Sequence, residues 1–182
     1  MERPLAGLRV VDTTNNCGEL CGRLLSDLGA DVVLIEPPQG STLRQAAPLS
    51  PNNESLGFLW RNANKSGISL DTSTKEGYEE FTHLLSEADI WIESGENLYN
   101  SSIDSIAEMF PHLVITSITP FGSSGPYSGL IANDDVLEAI SGMMFKAGIA
   151  NKTPLLPPTT MATDIASISA AVATVLGFYQ KL

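Results

Sequence analysis

Five short apolar runs punctuate the chain, and stretches of helical periodicity lie between most of them. "LRVVD" reads as a buried strand ending at Asp12, and "DVVLIE" as a second ending at Glu36. "GISLD" predicts a short third strand, "DIWIE" a fourth and "HLVITSIT" a fifth. Between the first two, Leu20, Leu24, Leu25 and Leu28 share one face of a helix running from about Gly18 to Leu28. Asn15 or Asn16 can cap it, and Gly29 fits the position just past its end. "STKEGYEEFTHLLSEA" predicts an amphipathic helix in which Ser73 and Glu76 have capping-box spacing. "SSIDSIAEMF" and "NDDVLEAISGMMFKAG" predict two more helices, and an apolar helix starting at Asp164 closes the chain. "PPQGSTLRQAAPLSPNNES" carries too much Pro, Gly and Asn for regular structure and reads as a long loop, a feature often tied to function in compact domains. Strands alternating with helices imply an α/β fold: one domain over residues 1–182, with a mainly parallel sheet and helices on both faces. Ligands bind such sheets beyond the carboxyl ends of the strands, which directs attention to the loops after Asp12, Glu36, Glu93 and Thr119.

Composition narrows the partners. A net charge of −11 argues against general binding to nucleic acid or to an anionic membrane. The basic residues are nonetheless gathered: from Pro37 to Gly67, Arg44, Arg61 and Lys65 stand against Glu54 alone. A polyanionic small molecule is therefore sought near that segment. "MERPLAGLRVV" has no long apolar core of a signal peptide, and no apolar run reaches the roughly 20 residues of a membrane helix, so a cytoplasmic location is expected. Cys17 and Cys21 are spaced C-x-x-x-C, unlike redox or zinc motifs, and read as small apolar helix residues in a reducing compartment.

Few motifs carry chemistry unaided. Gly18 and Gly22 give only G-x-x-x-G where a dinucleotide fingerprint needs G-x-G-x-x-G, and no Walker sequence occurs. His83 and His112 stand alone, without the partners of a catalytic triad. Asp164, in "PPTTMATDIASISAAVATVLGFYQ", sits at the mouth of a long apolar helix. A helix N-terminus favours an ionised carboxylate, the form needed for nucleophilic attack. The competing reading is a simple N-cap, worth about 1 kcal/mol of stability.

The order of segments is more informative. "PLAGLRVVDTT", "GRLLSDLGADVVLIEPPQGSTLR", "NANKSGISLD", "EADIWIE", "FGSSGPYS" and "AISGMM" follow one another along the chain. This series resembles the family III CoA-transferases, the group that includes formyl-CoA and carnitine CoA-transferases and the α-methylacyl-CoA racemases. The resemblance implies a Rossmann-like sheet, incomplete relative to the full family fold, because members are about twice as long. It implies that Asp164 is the nucleophile that passes CoA from an acyl-CoA to a carboxylic acid through an aspartyl-CoA thioester. No permanently bound cofactor is implied, coenzyme A and acyl-CoA being substrates. The implied CoA contacts are Asn15, Asn16, Arg44, Asn62, Asn64 and Lys65, with Arg61 a weaker candidate. An interlocked homodimer, or a heteromer with a related chain, is the implied assembly; Ile165, Ile168, Val172, Val175 and Phe178 are candidates for its interface.

Several residues depart from the family pattern. Glu19 follows Gly18 where Pro is usual, bringing negative charge toward the CoA site. "ESGENL" replaces the usual E-N-F-R-P-G, and "NKSG" lacks one basic residue of N-K-R-S. The racemase position for His holds Asn133, which cannot serve as a proton-transfer base and so disfavours racemisation. A further alternative is a non-catalytic pseudo-subunit that pairs with an active CoA-transferase chain.

Overall fold

A computed structural model describes residues 3–95, 98, 100–149, 151–156 and 160–182. Its strands are β1 (Arg9–Asp12), β2 (Asp31–Glu36), β3 (Ser66–Ser69), β4 (Ile90–Glu93) and β5 (Val114–Ser117). They form one parallel sheet in the order β3-β2-β1-β4-β5. The helices are α1 (Glu19–Asp27), α2 (Leu56–Arg61), α3 (Lys75–Ser86), α4 (Ile103–Met109), α5 (Asp134–Ile140) and α6 (Met161–Lys181).

Side-chain alternation along the strands builds a core on each face. Val10, Val32, Ile90, Ile92 and Val114 pack with Cys21 and Leu25 of α1 and Ala171 of α6. On the opposite face Val11, Ile35 and Trp91 pack with Phe81 and Leu85 of α3 and Ile106 of α4. The expected helices on both faces are therefore present. The chain leaves β1 toward β2 on one side and reaches β4 on the other. That reversal opens a crevice at the carboxyl ends of β1 and β4.

Local capping corrects several sequence-based boundaries. Gly18, in the left-handed region at φ 95°, opens α1 without a side-chain cap. Asn15 and Asn16 instead accept hydrogen bonds from Ser41 and Thr42. Thr74 rather than Ser73 caps α3, because Ser73 turns its hydroxyl to Asp71. The long loop holds a 3-10 turn at Thr42–Gln45 and runs into α2, a helix that the loop-like composition hid.

The largest revision concerns α6. It begins at Met161, so Asp164 lies within its first turn and the Asp164 amide already donates to Thr160 O, at 3.0 Å. Asp164 is therefore not the N-cap. The free amides of Ala162 and Thr163 are met by the carboxylate of Asp134, at 3.1 and 2.8 Å, from the first residue of α5. α6 is also long and apolar enough, by length and composition, to cross a membrane, against the expectation of no such segment. One side of it faces the sheet: Ser167, Ala171 and Thr174 are buried, the Thr174 hydroxyl bonds that of Thr116 on β5, and Lys181 clasps the carbonyls of Pro111 and Leu113. Of the interface candidates, Val175 and Phe178 pack on the core, whereas Ile165, Ile168 and Val172 are exposed.

Candidate functional site

Two ion pairs flank the start of α1. In the first, Lys65 follows α2 and sends its ammonium beneath α1. It donates at 2.7 Å to Asp12 Oδ2 at the end of β1, to the Glu19 carbonyl and to Asn62 Oδ1. Those acceptors match the three donors of an ammonium. The Lys65 side chain is 1% exposed and that of Asp12 is 0% exposed. Gly22 permits this arrangement, since a Cβ there would collide with Asp12 Oδ2 and crowd Lys65 Cε. The G-x-x-x-G spacing thus serves packing around a buried pair. Lys65, which the resemblance implies as a CoA contact, directs its ammonium donors to acceptors inside the domain, Asn62 among them.

The second pair is the more open one. Arg61, the last residue of α2, donates through Nη2 to both carboxylate oxygens of Asp164, at 3.0 and 3.2 Å, and to the Thr160 hydroxyl. The side chains remain 15% and 25% exposed. Trp60 stacks beside the Arg61 guanidinium. Asp164 thus rests clamped, on the positive end of α6, with its N-terminal amides already tied by Asp134. Sequence reasoning gave Arg61 little weight. Its one signal was membership of the locally basic segment; its partner lies 103 residues away.

Beside this pair lies a cleft of about 810 Å³. Asn15, Asn16, Cys17 and Ser94 form its floor at the sheet reversal, and Ile118 to Phe121 form the wall after β5. Leu137, Ile140 and Met143 cover one side, while Thr160, Ala162, Thr163 and Ile165 bring the first turn of α6 to its rim. The volume and apolar lining suit a sizeable organic ligand. Pro157, Pro158 and Thr159 in the approach to α6 lie outside the described residues, as do Glu96 and Asn97 of "ESGENL".

The remaining candidates divide between two places. Asn15 and Asn16 join the loop that carries Arg44, because Ser41 and Thr42 bond their side chains. Arg44 is half-exposed, lies over the Phe58 ring at 3.9 Å, and holds Glu36 at 2.8 and 2.5 Å. That hydrogen-bonded pairing lowers the Glu36 carboxyl below its ordinary range and raises Arg44. Asn64, by contrast, donates to Asp27 at the far end of α1 and is not brought to the crevice. All three cations of the basic segment are therefore paired with carboxylates, so the segment is not a bare positive patch.

Other groups are quieter. Burial raises the Cys17 thiol to about 11 and the Cys21 thiol to about 12, which keeps both protonated and unreactive. Asn133 caps α5 by accepting from Val136 N. His83 and His112 are exposed on the surface. Among the described residues no cluster of His, Cys, Asp and Glu could hold a metal ion.

Fold and site together define a doubly wound α/β protein in which the first turn of α6, with its clamped carboxylate, borders the crevice. The chain belongs to CoA-transferase family III, whose family model matches residues 5–182. It is 36% identical over 181 residues to a probable CoA-transferase of Mycobacterium tuberculosis, covering 95% of this chain and 23% of that protein. It is 33% identical to the succinyl-CoA:(R)-benzylsuccinate CoA-transferase subunit BbsE of Thauera aromatica, covering 98% of this chain and 46% of that one. A formyl-CoA:oxalate CoA-transferase of Streptomyces avermitilis is 32% identical, over 100% of this chain and 45% of its own length. The crystal structure of a CAIB/BAIF family protein from Brucella suis superposes with a TM-score of 0.92 at 28% identity, over 100% of this chain and 50% of that one. The chain thus spans less than half the length of these curated relatives and half of the solved structure.

Proposed function

We propose that this chain contributes the nucleophile-bearing part of a CoA-transferase, with Asp164 as the nucleophile. The observation that carries the reading is the Asp164 carboxylate itself, clamped by Arg61 on the first turn of α6, whose neighbouring residues Thr163 and Ile165 line the cleft. Asp164 attacks the thioester carbonyl of an acyl-CoA, forming a mixed anhydride and CoA thiolate. The thiolate attacks the aspartyl carbonyl, expels the donor carboxylate and leaves an aspartyl-CoA thioester. An acceptor carboxylate reverses both steps and departs as its CoA thioester. Arg61 fixes the carboxylate in place and stabilises negative charge as it passes between Asp164, thiolate and acid. Family membership supports this chemistry, as do the activities for which the Thauera and Streptomyces relatives are named.

Coenzyme A then lies along the crevice, where the Asn15–Asn16 loop and the half-exposed Arg44 are placed to meet its polar groups. To bind a phosphate, Arg44 must share its guanidinium with Glu36. We also propose a cytoplasmic location and assembly with a second chain, the same or related, since the Thauera relative is named as a subunit. The test is transfer of CoA from a panel of short acyl-CoAs to carboxylic acids by the protein in its native assembly. D164A is expected to abolish transfer while unfolding in the same denaturant range; retained transfer overturns the assignment.

One observation favours a second reading. Lys65 and Arg44, the cations first assigned to CoA, are both committed to internal carboxylates. A pseudo-subunit that pairs with an active chain and binds no CoA would show this pattern. Micromolar CoA binding lost in R44A would exclude it.

A further inference from the structure

The charges that line the cleft beside α6 have one sign. Among the described residues its lining contains no Lys, Arg or His, but it does contain Asp134 and Asp135 from the first turn of α5. A helix N-terminus is the usual backbone alternative for holding an anion. At α6 that place is taken, because Asp134 already meets the free amides of Ala162 and Thr163. At α1, which follows the lining residue Cys17, the first turn carries the buried acid Glu19.

A link to a cation runs through Thr160, at the rim. Its hydroxyl accepts from Arg61 Nη2, the same nitrogen that holds Asp164. From there the cleft continues along apolar side chains: Ile165, Leu137, Ile140 and Met143 on one side, Ile118 and Phe121 on the other. The cleft thus offers positive charge at its reactive end and apolar surface with acid beyond it.

We propose, on the reading of Asp164 as nucleophile, that the acids exchanged at this site are monocarboxylic acids with an apolar tail, and that dicarboxylic acids are selected against. The reacting carboxyl group meets Arg61 at the Thr160 end, and the tail lies against Leu137, Ile140 and Met143. A second carboxylate at the end of that tail would leave water for an apolar wall beside Asp135 without a counter-ion, and an unpaired desolvated charge is costly. A tail that ends in a methyl group gains by the same burial. At about 810 Å³ the cleft has room for such a tail beside the thiol end of CoA.

The test compares acceptors matched in length. With the protein in its native assembly and butyryl-CoA as donor, kcat/KM for hexanoate is expected to exceed that for adipate by about a hundredfold. Ile140 is 67% exposed, so I140R places a cation on the cleft wall without disturbing the core. In I140R the gap is expected to narrow by about tenfold, as adipate improves and hexanoate weakens. Equal use of adipate by wild type, or an unchanged gap in I140R, overturns the proposal. Should no acid accept CoA, calorimetric affinities of hexanoyl-CoA and adipyl-CoA decide: tighter hexanoyl-CoA supports it, and equal affinities or binding of neither overturn it. The two readings fail separately. A preference for hexanoate that persists while Asp164 forms no covalent adduct would defeat the nucleophile and leave the substrate class standing. A covalent adduct at Asp164 formed equally well from adipyl-CoA would do the reverse.

Discussion

The two ion pairs beside α1 are built from the same kinds of group and do opposite work. Asp12–Lys65 is sealed, with each ammonium donor assigned an acceptor inside the domain. Asp164–Arg61 is held by a single guanidinium nitrogen, with a quarter of the carboxylate side chain exposed. A sealed pair can brace a fold but cannot be reached by a substrate. An open pair adds little stability yet leaves a carboxylate accessible. The difference sets Lys65, buried against Asp12, apart from Arg61, which holds the more exposed Asp164.

Exchanging the partners breaks this comparison most sharply. D164A is expected to eliminate CoA transfer and to change unfolding free energy by no more than about 1 kcal/mol, as for other partly exposed pairs. K65A leaves Asp12 buried and unpaired, and is expected to cost about 3–5 kcal/mol in denaturant unfolding. If K65A were neutral for stability, or D164A were the more destabilising of the two, the division between brace and reactive group would fail. D134A sharpens the picture at smaller scale. It removes the acceptor for the Ala162 and Thr163 amides, and is expected to cost about 1–2 kcal/mol, with a drop in transfer rate from a frayed first turn.

The smallest effects are in pH dependence, and two buried acids give opposite signs. Glu19 has a raised carboxyl, so the folded protein binds more protons than the unfolded chain above the ordinary value of 4.5. Stability then falls as pH rises from that value through the raised one, and E19Q is expected to remove this slope. Glu36 is lowered, chiefly by its hydrogen bonds to Arg44. Its contribution is present above 4.5 and is lost as pH falls through the lowered value; R44A is expected to abolish that loss. Urea midpoints measured between pH 3 and pH 8 separate the two slopes.

Much of this fold was legible from local pattern alone. Strands β1, β2, β4 and β5 are apolar, largely β-branched runs bounded by turn residues, and helices α1 and α3 show clear amphipathic faces, so the parallel sheet follows from their alternation. The start of α6 was not legible. "TTMAT" contains no cap that bonds the first amides, because the cap is Asp134, nearly thirty residues earlier in the chain. α2 was hidden by the Pro- and Asn-rich stretch before it, and with it the orientation of Arg61. Asp164 was found through its motif context, but its clamp depends on a contact between distant segments that periodicity cannot report. Glu19 was visible only as a departure from a family pattern; that it is buried, with its Oε1 unpartnered among the described residues, is a property of the folded chain.

The central claim is that Asp164 becomes acylated. The direct measurement is to incubate the protein, in its native assembly, with a panel of short acyl-CoAs, add hydroxylamine, and analyse the peptide containing Asp164 by mass spectrometry. A hydroxamate on Asp164, absent from D164A and absent without acyl-CoA, is the expected result. An unmodified Asp164 under conditions where CoA transfer proceeds would contradict the account and leave the Arg61–Asp164 pair a structural clasp between α2 and α6.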